Sequence, residues 1–288
     1  RITRRVVAWM KRRRRGSLCW PGKASSRRVA APSEARLAVG DVPRGMRIVF
    51  SRKGFDSGSG GGPSPIVDGP NGSFPLSLPI PAGAASRTSY RDLGLGDHAV
   101  RASRSRVGPD DLCHHDPMFL DDGTCAFGQV GAAQTHLANQ GVGRGDMFVF
   151  FGLFRKDGEA PHHRIFGYLK VEEIVSLADG VPADLIALGH PHALALHGKN
   201  DTIYRGPGRV ARTACDALRL TVPEGPLTLW DRPGWLKPGG LSYHDRTDRW
   251  LPGKRLRSVA RGQEFVANIG KRRAPRDWLD RIVETIDR

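Results

Sequence analysis

The residues best suited to chemistry come early in the chain. Residues 48–66 read IVFSRKGFDSGSGGGPSPI: a short apolar run, then Ser51-Arg52-Lys53-Gly54-Phe55-Asp56-Ser57, then a glycine-rich tract. Backbone N–H groups in such a tract can approach a phosphate closely, because glycine has no Cβ to hold the ligand off. Arg52 and Lys53 add positive charge, the arginine as a planar fork. Asp56 is suited to orienting a ribose hydroxyl or to acting as a general base. Ser51, Arg52, Lys53, Gly54 and Ser57 therefore form a candidate nucleotide-binding set, with an unliganded surface loop as the alternative. No helix is expected directly after the loop, so it is neither a P-loop nor a dinucleotide fingerprint.

A second candidate is DDLCHHDP, which supplies Cys113, His114, His115 and Asp116. These are metal-ligand types, and Cys125 or His136 could complete a set. Adjacent residues rarely all face one ion, however, so no metal is assigned. A local cap, with Asp116 preparing a turn at Pro117, is the simpler reading. As catalytic candidates, His115, Asp116 and His136 join Asp56, because an imidazole–carboxylate pair titrates near neutrality. Gln134 and His136 share a stretch of helical spacing, where they would hydrogen-bond a base edge or simply face solvent. Tyr243-His244 and Gln263-Glu264 are polar pairs at strand ends, which serve either chemistry or only local hydrogen bonds. His162-His163 reads as exposed on a hairpin, and His190-Pro191-His192 as loop packing. There is no Walker motif, no zinc-deaminase signature and no nucleophile–His–Asp order of recognisable spacing.

Stepping outward to what must hold these residues, glycine and proline make up 57 of 288 residues, which favours many turns and short strands over a helical bundle. Residues 47–51 form a strand, and MFVFFGLFR and HRIFGYLK form two more, joined by a hairpin around Asp157-Gly158. Their aromatic residues read as core, with Phe151 or Tyr168 as the ones alternation could expose. A helix is expected within residues 127–146, and another, amphipathic, over residues 275–287. Residues 82–111 read as irregular, with a short turn of helix at SYRDLGL. Further short strands fall at 202–204, 217–222, 227–230 and 263–269. The fold class expected is α+β, with few helices and a mixed or antiparallel sheet curling toward a barrel. A helix, then GVGRGD, then a strand pair ending in KVEEIV is the order of small PUA-like barrels, a fold-level analogy that extends to ASCH and EVE modules.

The net charge of +16 is unevenly spread. Residues 1–45 carry 13 basic and two acidic residues, a net +11, which leaves +5 for residues 46–288. The first segment reads as a basic, disordered tail or as sequence lying upstream of a start at Met46, with a nucleic-acid-binding arm at KRRRR as the alternative. The rest, 46–288, reads as a single domain. Four cysteines without a C-x-x-C pair suit reduced thiols and a cytoplasmic setting. No apolar run approaches the roughly 20 residues needed to span a bilayer.

Taken in order, FSRKGFDSGSGGGPSPI, HHDP, FGQVGAAQTHLANQGVGRGDMFVFFGLFR, HRIFGYLKVEEI, NDTIY, LSYH and RGQEFV resemble a bacterial family of nucleotide modification associated domains, the third of several so named. The resemblance spans essentially all of residues 46–288. Where the family pattern would carry one histidine and an apolar residue before Asp-Pro, this chain has His114-His115. The resemblance implies association with systems that modify bases in DNA. It implies a nucleotide or nucleic acid as partner, and a DNA-modifying enzyme as a further one. Neither a reaction nor a cofactor follows from it. A base-modifying enzyme, a non-catalytic reader of a modified base and a scaffold for a modification enzyme all fit.

Overall fold

A computed structural model describes residues 45–70, 72–82, 86–260, 262 and 264–288. The basic segment at residues 1–44 lies outside them, as does Gln263. In chain order the elements are β1 (Met46–Arg52), β2 (Ser64–Gly69), β3 (Gly72–Pro75), α1 (Gly96–Ser103), β4 (Met118–Phe119), β5 (Thr124–Gln129), α2 (Gly131–Asn139), β6 (Met147–Lys156), β7 (His162–Lys170) and β8 (Glu173–Ser176). Then follow α3 (Ala183–Leu188), α4 (Pro191–Leu194), β9 (Thr202–Val210), β10 (Leu229–Asp231), β11 (Trp250–Leu251), β12 (Arg255–Arg257), β13 (Glu264–Gly270) and α5 (Arg273–Asp287).

Ten of the strands form one mixed sheet with the main order β13-β1-β6-β7-β9-β5-β4, and β10, β12 and β11 form a small second sheet. The large sheet curls into a half-barrel, so the fold is α+β. Its curl brings distant strands together: Gln129 at the end of β5 donates a hydrogen bond of 2.7 Å to Glu264 at the start of β13, although four strands separate them in the sheet order.

Strand alternation divides the core between the two faces of the sheet. Val49, Phe127, Phe148, Phe150, Phe154, Phe166 and Tyr204 pack together on the concave side. Ile48, Phe50, Val149, Phe151 and Tyr168 face the other way, against α5 and the small sheet. With both faces covered, β6 reads as a nearly continuous apolar run. Phe151 and Tyr168 are 0% and 7% exposed, so neither is the exposed aromatic that alternation suggested. The closing helix buries Pro275, Leu279, Ile282 and Ile286, which recur at helical spacing along one stripe.

Other expectations shift. Residues 127–129 complete β5, and the helix starts only at Gly131. Residues 96–103, expected to be irregular, form α1, which buries Ala99 beside Phe55 and Tyr90. Residues 217–222 contribute a turn of tight helix and isolated bridges instead of a strand.

One feature of the sheet positions the early loop. Strands β1 and β2 both pair in parallel with β6, β1 along residues 147–151 and β2 along residues 154–156. They follow one another along the same side of β6. The chain leaves that side after Lys53, whose N–H still donates to the Phe151 carbonyl at 2.8 Å, and returns at Ser64. The glycine-rich loop is therefore an excursion from the middle of one side of β6, pinned at both ends.

Candidate functional site

Within that excursion the loop is held by its own chemistry. Phe55 is fully buried against Tyr90, and its N–H donates to the Leu78 carbonyl at 3.0 Å. Asp56 Oδ1 accepts the backbone N–H groups of Gly58 and Ser59, each at 2.8 Å. One oxygen of this carboxylate thus organises the turn. Gly54 has φ +83°, and a Cβ there would lie 3.0 Å from Ser77 Oγ and 3.2 Å from the Leu78 carbonyl oxygen. Ser57 is exposed at the tip.

The two cations before the loop have different partners. Arg52 reaches the carbonyls of Ala260 at 2.8 Å and Val259 at 3.4 Å. Burial lowers its pKa, opposed by the negative charge of Asp56. Lys53 turns to the concave side, where its Nζ lies 2.9 Å from Glu264 Oε1 and 4.4 Å from the centre of the Phe127 ring. Glu264 Oε1 also accepts the Ser51 hydroxyl at 3.1 Å and the Gln129 amide at 2.7 Å. Ser51 and Glu264 face each other across the β1–β13 ladder, so the ladder register itself builds this network. Glu264 Oε2 is buried without a hydrogen-bond partner.

Asp116 is the second centre. The Gly128 N–H donates to its Oδ1 at 2.9 Å. Three imidazole nitrogens surround the carboxylate: Nε2 of His190 at 3.5 Å, of His114 at 3.7 Å and of His192 at 3.8 Å. Burial pushes the Asp116 pKa up, but contacts to His114 and His190 and the nearness of His190 and His192 outweigh it, so the carboxyl sits well below the usual range. His192 Nδ1 lies 2.5 Å from Asp201 Oδ1, and the His197 N–H donates to Asp201 Oδ2 at 2.9 Å. Desolvation lowers the His197 pKa, and His192 beside it adds to the effect. His114, Asp116 and His192 offer donor atoms that all lie within 4.8 Å of one another.

Two cavities share these walls. A polar cleft of about 830 Å³ is lined by Arg52, Lys53, Gly54, Asp56 and Ser59 on one side and by His114, Asp116, Gln129, His192 and His197 on the other. A more apolar cavity of about 460 Å³ is lined by Phe74, Leu76, Leu93, His115, Phe119 and Phe166, together with Lys53, Gly54 and Asp116. His115 Nδ1 is buried there without a partner, and desolvation lowers the His115 pKa despite the opposing charge of Asp116.

Of the residues singled out from the sequence, Arg52, Lys53, Gly54, Asp56 and Asp116 line the cleft, and His115 lines its neighbour. Ser51 lies beneath them, fully buried, and acts on Lys53 only through Glu264. Ser57 points away, and Ser59 lines the cleft in its place. Gln134 and His136 line neither cavity. Gln134 is buried, its Oε1 accepting the Tyr204 hydroxyl at 3.0 Å, so of the two alternatives the solvent-facing one does not hold for it. His136 Nε2 lies 3.0 Å from Ser242 Oγ and its ring 4.4 Å from that of Tyr243. Desolvation lowers its pKa, with Glu264 opposing.

Gln129, His190, His192 and Asp201 were not among the site candidates, and Glu264 was noted only as one of a polar pair serving either chemistry or local hydrogen bonds. His190-Pro191-His192 was read as loop packing, and both rings turn toward Asp116; His162-His163, outside the site, was read as exposed, and both are buried. For Glu264 the signal was a carboxylate opening the apolar strand EFVANI on the same side as Val266.

The model of the family described as nucleotide modification associated domain 3 matches residues 47–268, most of the chain and all of the two cavities' walls. The chain belongs to that family. Its nucleotide modification associated domain begins with β1 and ends within β13, so the Lys53–Glu264 pair joins its two ends. No curated protein and no solved structure matches the chain significantly. Among the described residues no helix is long and apolar enough to cross a membrane.

Proposed function

We propose that the two cavities together hold one nucleotide or nucleotide unit, in the service of a nucleic-acid base modification system. The observation that carries this is their shared wall: Lys53, Gly54 and Asp116 line both. The base lies in the aromatic cavity against Phe119, with the His115 and Asp116 edges for hydrogen bonds. The sugar crosses at Lys53–Gly54. The phosphate meets Arg52 and the loop beyond it, whose guanidinium is held by carbonyls and not by a carboxylate. Both volumes suit small-molecule sites of roughly 300–1,000 Å³.

Asp56, His114 and Asp116 are the candidates for chemistry on the bound unit, with Asp56 keeping one oxygen for its turn. A processing role is favoured over a purely reading one because the buried His192 imidazole and the Asp116 carboxylate line the polar cleft, a costly arrangement for simple recognition. Calorimetric titration of the full chain with normal and modified nucleotides, followed by mass analysis of the mixture, tests both. Binding with a change in mass supports processing, binding without one supports a reader, and no binding removes the proposal.

A further inference from the structure

We infer that the chain carries a mononuclear site for a divalent first-row transition metal ion, held by His114 Nε2, His192 Nε2 and the Asp116 carboxylate, with His190 packed behind the carboxylate. The argument begins with distances. The three nitrogens stand 3.5–3.8 Å from the Asp116 oxygens, too far for good hydrogen bonds. Donors about 2.0–2.1 Å from one tetrahedral ion lie roughly 3.3 Å from each other. The carboxylate and imidazoles are therefore spaced as ligands are.

The second observation is the direction of the lone pairs. His192 Nδ1 is committed to Asp201, which is itself fully buried and takes the His197 N–H. With Nδ1 donating to Asp201, the Nε2 of a neutral His192 faces the Asp116 oxygens and is placed to share a cation with them. Carboxylate–imidazole–metal relays fix a ligand's tautomer in this way. His190 adds a third, independent observation: it is 0% exposed and neither ring nitrogen has a hydrogen-bond partner, while its Nε2 points at the same carboxylate. A buried imidazole left so is costly, and it marks the Asp116 carboxylate as the centre of a polar cluster whose partners are incomplete within the protein.

Local backbone geometry keeps the space open. Gly128 supplies the N–H that holds Asp116, and a Cβ at that position would lie 2.3 Å from His192 Cδ2. Only glycine lets the strand grip the carboxylate while the imidazole lies against it. Imidazole with carboxylate selects zinc, iron(II), cobalt or nickel over magnesium and calcium. His114, Asp116 and His192 line the polar cleft, so an open coordination position would face whatever occupies it.

The test uses metal alone, so that its failure leaves the nucleotide reading standing. Tag-free full chain is stripped with chelator and titrated with Zn(II) and Co(II) by calorimetry, with visible absorption following the cobalt. The expected result is one equivalent bound, a cobalt spectrum with nitrogen ligation, and no comparable binding of Mg(II). His192→Ala should weaken Zn(II) binding at least 100-fold. Asp201→Asn, which preserves shape and touches no metal, should weaken it by about 10–100-fold. Circular dichroism on each variant confirms folding. Absence of stoichiometric binding by the folded wild-type chain, or wild-type affinity in the two folded variants, would overturn the assignment.

Discussion

The Lys53–Glu264 pair makes a prediction whose sign is more informative than its size. The charges are 2.9 Å apart, with the side chains 12% and 1% exposed. At an effective dielectric of 20 the attraction is about 6 kcal/mol before desolvation is counted. Lys53→Met leaves a carboxylate buried with two neutral donors and no cation, and should cost about 3–5 kcal/mol. Glu264→Gln is milder: the amide oxygen still accepts from Ser51 and Gln129, and Lys53 keeps the Phe127 ring, so the cost should be about 1–2 kcal/mol. In the double variant nothing charged is stranded. Adding Glu264→Gln to Lys53→Met should therefore restore stability, leaving the pair of changes less damaging than Lys53→Met alone. Urea unfolding of all four proteins by circular dichroism, with m-values compared, measures this. A double variant that costs the sum of the two single changes would show that the ion pair is not what makes Lys53 matter.

Other predictions test parts nearby. Burial, with Arg52 adding to it, pushes the His163 pKa down to about 3, and its Nδ1 accepts the Trp230 Nε1–H at 3.1 Å. The unfolded chain takes up a proton on this residue below about pH 6.5 while the folded one does not. Stability should thus fall as pH drops through 6.5, by about 2 kcal/mol between pH 6.5 and 5 from this group alone; a His163→Gln variant should lose that part of the slope in urea titrations at several pH values. Gly54→Ala should destabilise by about 1–2 kcal/mol through its positive φ alone, read as a lowered urea midpoint, and should weaken nucleotide binding because Gly54 lines both cavities.

What the sequence disclosed follows the range of the interactions involved. Strand β6 and helix α5 could be read locally, because an aromatic run and an apolar stripe are properties of a few neighbouring residues. The loop at residues 52–59 stood out as a candidate for the same reason. The sharing of one β6 edge by β1 and β2 is not local, and neither is the ladder that sets Ser51 beside Glu264, a partner 213 residues away. His190 and His192 looked like packing because nothing in HPH announces that a curl of the sheet will bring Asp116 to them. His162 and His163 misled for the opposite reason. Histidine suggests exposure, but the His163 N–H donates to Thr221 Oγ1 at 2.9 Å and its ring meets Trp230, partners from well along the chain. Helix α1 escaped notice because its eight residues bury little apolar surface.

The central claim is that one ligand spans both cavities, with phosphate at Arg52 and base at Phe119. The direct measurement is calorimetric affinity of the full chain for a nucleoside and its 5′-monophosphate, in wild type, Arg52→Ala and Phe119→Ala. The account predicts that Arg52→Ala weakens the monophosphate by roughly 10–100-fold and leaves the nucleoside unchanged, as loss of a charged hydrogen bond requires. It predicts that Phe119→Ala weakens both alike, by the roughly 1–3 kcal/mol of a lost base–aromatic stack. Equal losses for both ligands in Arg52→Ala, or an affinity indifferent to Phe119, would contradict it.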